Sequence, residues 1–276
     1  MITEALLSQG LTGFAVGGML AMAGVLMQVL LRTPLAEPYV LGVSGGGAVA
    51  GLGCMLLGLD GWWIAVSALL FCLMSLAIVF LVGSGDGSMS RERFLLTGVV
   101  LAAGWSTLTI FLLALEPASS VRELMFWLMG DLERLVSAWW GILALALAMA
   151  AGLVMAPALD LLVRGDEQAA VLGVEVHRVR LVCYVLAAVL TALAVTLAGP
   201  IGFVGLVVPH LVRLWAGARH RILIPVSILA GGVYMLGLDA IAGLALFRDS
   251  VPVGVLSATI GVPLFLYLLR QPRRGG

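Results

Sequence analysis

Residues 137–180 read SAWWGILALALAMAAGLVMAPALDLLVRGDEQAAVLGVEVHRVR. Positions 137–157 contain no charged residue. A helix of about 20 apolar residues matches the hydrocarbon thickness of a bilayer. The next stretch, Asp160 to Arg180, carries seven of the chain's thirty Asp, Glu and Arg residues. A second apolar run, 181–198, follows it directly. Two spans joined by a short charged elbow describe a polytopic, all-α membrane protein. The elbow itself reads as a handle offered to a soluble partner.

Working outward, the same pattern covers the whole chain. Its 276 residues are 62% hydrophobic and 11% charged, with mean hydropathy +1.15. A soluble protein of this size has too much surface to cover with so few charges. About nine apolar runs are long enough for helical spans, at 8–31, 39–58, 62–83, 94–115, 137–157, 181–198, 203–218, 222–246 and 252–269. They do not alternate polar and apolar residues as barrel strands do. The first run has no basic flank and no polar cleavage region, so it reads as a retained span and not as a signal peptide.

Arginine orients the spans. Arg32, Arg91, Arg93, Arg164, Arg178, Arg180, Arg213, Arg219, Arg221, Arg270, Arg273 and Arg274 fall on one side, against Arg122, Arg134 and Arg248 on the other. The arginine-rich side is expected in the cytosol, which places the C-terminus there and Met1 outside. There is no lysine anywhere. That excludes a P-loop, whose lysine reaches the nucleotide phosphates. Cys54, Cys72 and Cys183 are isolated within apolar runs and read as packing residues.

Five segments stand out as candidates for function. In 158–180, Leu161, Leu162, Ala169 and Leu172 alternate with charges, and Gly165 interrupts them. Two short helices fit, lying across the membrane face with Arg164, Asp166 and Glu167 at the rim. The competing reading is an amphipathic loop resting on headgroups. Arg32 to Pro38 holds two prolines that end the preceding helix, and the glycine-rich stretch 41–47 is poor at forming a regular one. Irregular backbone at membrane depth must line a pathway or a packed interior.

In 199–210, Pro200 marks an outer turn, Pro209 lies inside a span, and His210 reads as a hydrogen-bonded packing residue. Asp239 is the only acid well inside an expected span and reads as an interhelical hydrogen-bond partner, with an ion site as the alternative. In the outer loop 116–134, Val121 to Leu128 reads as an interfacial helix with Phe126 and Trp127 at headgroup depth. Gly13-x-x-x-Gly17 and Gly47-x-x-x-Gly51 read as tight packing within the chain, with a dimer face as the alternative. The three histidines, His177, His210 and His220, lie at cytosolic edges, and no catalytic or metal-binding constellation emerges.

Taken in order, QVLLRTPLAEPYVLGVSGGGAVAG (28–51), FWLMGDL (126–132), GDEQAAVLGVEVHRVR (165–180), AGPIGFVGLVVPHLVRL (198–214) and VPVGVLSATIGVPLFLYLL (251–269) resemble the FecCD-type permeases. These are the membrane subunits of ABC importers for ferric siderophores, haem and cobalamin. The resemblance implies an all-α permease like that of the cobalamin importer, forming a single domain over residues 1–276 with a cytosolic coupling segment at 158–180. It implies translocation across the cytoplasmic membrane by alternating access, with no cofactor, no metal site and no catalytic residue on this chain. The implied partners are two copies of an ABC ATPase subunit, a periplasmic or lipid-anchored substrate-binding protein, and a second permease as homodimer or sister chain. The lipid bilayer surrounds them, and nucleic acid has no part.

By position, the implied ATPase-coupling residues are Arg164, Gly165, Asp166, Glu167, Ala170, Leu172 and Gly173. The implied pathway or gate residues are Thr33, Pro34, Leu35, Ser90 and Arg91. Docking of the binding protein falls to Arg122, Glu123, Arg248 and Asp249. Three departures from the family pattern stand out. The family has ten spans and its first finds no counterpart here. The usual RNPLA reads RTPLA, with Thr33 in place of an amide. Gly243 and Ser250 stand where the family offers an outer Arg and Glu. Outside this resemblance, two readings remain: an ion-coupled secondary transporter or channel using Asp239 and His210, and a permease remnant that transports nothing.

Overall fold

The computed structural model describes residues 2–33, 36–39, 42–59, 61–83, 91–130, 132, 138–243 and 251–270. Among them run eleven helices: α1 (Ile2–Leu31), α2 (Val43–Leu56), α3 (Trp62–Gly83), α4 (Arg91–Ala114), α5 (Ala118–Leu128), α6 (Ala138–Leu162), α7 (Asp166–Val171), α8 (Val176–Ala198), α9 (Val204–Ala216), α10 (His220–Ala242) and α11 (Val253–Arg270). Each of the nine apolar runs is occupied by one helix. The other two, α5 and α7, fall in the loop 116–134 and in the charged elbow.

α1 is the axis of the molecule. It is apolar on every face, as a helix enclosed by other helices must be, and 94% of its apolar window is buried against 6% for α4. It packs on α6, α8, α9 and α10. Side chains at these crossings are removed where backbones must touch. A Cβ on Gly24 would stand 1.9 Å from the Gly205 carbonyl oxygen of α9, and one on Gly17 would stand 2.1 Å from that of Gly231 in α10. Lipid gives apolar helices no reason to associate, so close packing of small residues supplies the attraction.

The glycine pairs therefore pack within the chain. Gly47 faces Cys72 and Val195, and Gly51 faces the indole of Trp127. This also corrects the expectation for Trp127. It is 2% exposed and wedged against Gly51 inside the protein, not turned outward toward headgroups. α5 does form, but its buried face, Leu124 and Trp127, caps the bundle.

Among the described residues, six helices are long and apolar enough to cross a membrane, and α2 and α9 are not among them. With 14 and 13 residues they reach only about 20 Å, against a hydrocarbon core of about 30 Å. The expected span 39–58 is shortened by four residues at its start, and 203–218 by one at its start and two at its end. α2 waits for Gly42, which takes a left-handed φ of 72°, and α9 for Phe203, which takes 70°. Among the described residues just before each helix, the backbone is not helical and lies mostly inside the protein. Ala36, Glu37 and Pro38 are all buried, as expected of a linker lining a packed interior.

Candidate functional site

The elbow is built by helix termini. α6 ends at Leu162, and the chain turns at Gly165, whose φ of 138° no L side chain adopts easily. α7 lasts six residues, Gly173 turns again at φ 84°, and α8 starts at Val176. The expected pair of short helices is here the end of α6 followed by α7. Its inward edge is Leu162 and Ala169, at 2% and 0% exposure. Its outward apolar tip is Val171 and Leu172, and Arg164, Glu167, Ala170 and Gly173 are exposed beside it.

Asp166 behaves differently from its neighbours. Arg32, just past the end of α1, donates from Nη2 to its Oδ1. Arg180 of α8 sits 3.0 Å from Oδ2. The Arg32 Nε also donates to the Leu162 carbonyl at 3.2 Å, satisfying an orphan acceptor at the end of α6. One carboxylate thus joins α1, α7 and α8, and Arg180 is only 13% exposed. Asp166 is consequently not a free rim charge. It ties the elbow to the linker that begins at Thr33.

A second tie lies close by in sequence. Asp160, near the end of α6, accepts the backbone N–H of His220 at 3.0 Å and its Nδ1–H at 2.6 Å. The carboxylate serves as an N-terminal cap for α10 from another helix. His220 was legible only as an edge histidine, because nothing in the spacing of two residues so far apart signals the pairing. His210, expected to be hydrogen-bonded, leaves Nδ1 without a partner among the described residues.

At the opposite end of the bundle, Arg122 and Glu123 are exposed on α5. The Arg122 guanidinium lies 5.7 Å from the Phe126 ring centroid, so it is held flat on its own helix. Gln9 of α1 donates to the Asp239 carboxylate of α10 at 2.9 Å, the interhelical hydrogen bond expected of that acid. No group of three or more His, Cys, Asp or Glu able to hold a metal occurs among the described residues. Pro34, Leu35, Ser90, Arg248 and Asp249 lie outside the described residues. So does the Arg91 side chain, although Arg91 begins α4.

The site therefore has two working parts. One is an exposed apolar tip on a short helix fixed by ion pairs at the arginine-rich end. The other is an irregular linker that leads from Arg32 into the interior. Among the described residues, nothing at either part is arranged for bond chemistry.

Comparison with known proteins adds the family context. A model of the FecCD transport family matches residues 1–271. The cobalamin import system permease protein BtuC of Halobacterium salinarum is 36% identical over 264 residues, covering 94% of this chain and 70% of that protein. The Fe(3+) dicitrate transport system permease protein FecD of Escherichia coli K12 is 36% identical over 281 residues, covering 99% and 86%. The solved structure of a metal-chelate type ABC transporter in an inward-facing conformation superposes with TM-score 0.86 at 32% identity, covering 96% of this chain and 87% of that one.

Proposed function

The chain belongs to the FecCD transport family, and from that premise we propose that it is the membrane permease subunit of an ABC importer for a ferric siderophore or a related chelate such as haem or cobalamin. Relatives named for cobalamin and for ferric dicitrate support that cargo class. The subunit does no bond chemistry itself. ATP is hydrolysed on a partner, of which two copies bind below, and a substrate-binding protein docks above through Arg122, Glu123, Arg248 and Asp249. A second permease, identical or sister, completes the pathway. Residues 1–276 act as one permease domain, with the arginine-rich face and the C-terminus in the cytosol.

The observation that carries the mechanism is Asp166. α7 presents Val171 and Leu172 to the outside, at 87% and 62% exposure, while its first residue grips Arg32 and Arg180. A nucleotide-driven push on that tip is passed to the linker after α1, where Thr33, Pro34 and Leu35 stand. Ser90 and Arg91 belong to the same gate in this reading. Coupling of this kind requires that the ATPase contact differ between two states of the permease.

Co-purification with an ABC ATPase, followed by ATP-driven uptake in proteoliposomes, tests the reading. Glu167→Arg on the exposed face of α7 is expected to abolish co-purification and leave the helical fold intact. Uptake driven by a proton gradient without ATP would overturn the proposal in favour of an ion-coupled carrier.

A further inference from the structure

The inference deepens the importer reading and rests on it. α2 and α9 cross only part of a bilayer, and their first turns line one cavity inside the protein. Ser44 of α2 and Gly205 of α9 line one cavity with Glu37, Leu20, Thr191 and Ile201. The cavity has room for about one water. Leu20 lies about 16 Å of helix rise from Leu31, the arginine-rich end of α1. In a hydrocarbon core of about 30 Å that is mid-depth. The linker from Arg32 thus climbs back into the membrane and delivers a carboxyl group to its middle.

Glu37 is 6% exposed. It lines that cavity with Ile201 and Gly205, on either side of Phe203, and its carboxyl is within electrostatic reach of the Phe203 backbone N–H. Phe203 is the residue before α9, it sits at φ 70°, and its own side chain makes no cap. A left-handed conformation costs a non-glycine residue about 1–2 kcal/mol and persists only where surroundings hold it. The first turn of a helix also has orphan N–H groups that lipid cannot satisfy. Pro38, the next residue, comes within 3.5 Å of where a Gly205 Cβ would be. Linker and half-helix are therefore in contact at the point where the half-helix begins.

We infer that Glu37 is a positioning residue of the transport pathway: its buried carboxyl takes a hydrogen bond from the Phe203 N–H, which clamps the first turn of α9 to the re-entrant linker and holds the two half-helix starts together at mid-membrane. The linker is the one that leaves Arg32, so the clamp lies at the far end of the segment that Asp166 grips. The carboxyl acts as an acceptor. The proposal thus ranks Glu37→Gln, which keeps an acceptor of the same shape, well above Glu37→Leu, which keeps volume alone.

Two readouts test it on the full chain in lipid. Hydrogen exchange over 199–210 is compared with exchange over α10, and ATP-driven uptake is measured with the partner subunits. Glu37→Leu is expected to speed exchange at 203–207 about tenfold, with α10 unchanged and uptake down by a similar factor, as loss of one buried hydrogen bond implies. Glu37→Gln is expected to stay within about threefold of the parent in both. Unchanged exchange in Glu37→Leu overturns the clamp. So does a Glu37→Gln variant as damaged in uptake as Glu37→Leu, because the titrating proton and not the acceptor would then matter. If the parent chain takes up nothing while Glu37→Leu still loosens α9, the importer reading fails and the clamp survives.

Discussion

Asp166 shows how much one side chain can change in meaning between sequence and structure. In the sequence it is one charge in an acidic start to a short helix. In the folded chain both of its oxygens are taken, by Arg32 and Arg180. With 39% of the Asp166 side chain exposed, water screens the pair, and the network is worth about 1–2 kcal/mol. Asp166→Asn is therefore expected to leave the protein folded and ATPase-bound, while uptake per ATP hydrolysed falls severalfold. Parallel measurement of hydrolysis and uptake checks this; an unchanged ratio would remove Asp166 from the coupling path.

Glycine provides the matching contrast. Gly24→Ala forces a methyl group into backbone of α9 and should cost more than about 3 kcal/mol. Gly53→Ala, where nothing lies within 4 Å, should be neutral or stabilising by up to about 1 kcal/mol. Thermal unfolding in detergent separates the two, and equal effects would contradict the packing described for α1.

At the scale of elements, existence was legible and extent was not. All nine apolar runs became helices, because about 20 apolar residues in lipid have no other way to satisfy their backbone. α2 begins only at Val43, four residues into its run, since a neighbour can satisfy backbone that the segment itself does not. The same cause misplaced Trp127. Periodicity put it on an amphipathic helix, but which apolar side chains face protein and which face lipid depends on what packs above them.

α7 is set by its turns. Gly165→Ala should strain the chain by about 1–3 kcal/mol at φ 138°. It should also swing the tip at Val171 and Leu172 out of place. Weaker co-purification of the ATPase with unchanged helix content is the expected result, and full binding would show that α7 tolerates reorientation.

For the whole molecule, the arginine count makes a prediction about sides. A cysteine in place of Arg122 is expected to react with a membrane-impermeant thiol reagent added outside intact cells. A cysteine in place of Arg164 should react only after permeabilisation. Reversal of the pair would place α7 outside and end the importer proposal. The two positions lie at opposite ends of the bundle, one on α5 and one beside α7, so one experiment orients the entire chain.

Composition and run length alone established that this is a helical membrane protein, because bilayer thickness and unsatisfied backbone admit so few solutions. They also located the charged elbow and, through the absence of lysine, denied the chain a P-loop of its own. The tertiary structure decided which partners the polar groups find. Asp160 with His220 and Asp166 with two arginines are pairings between segments remote in sequence, and Glu37 shares a cavity with the start of α9 in the same way. Helical periodicity describes how a segment repeats along itself and carries no information about the segment it will meet.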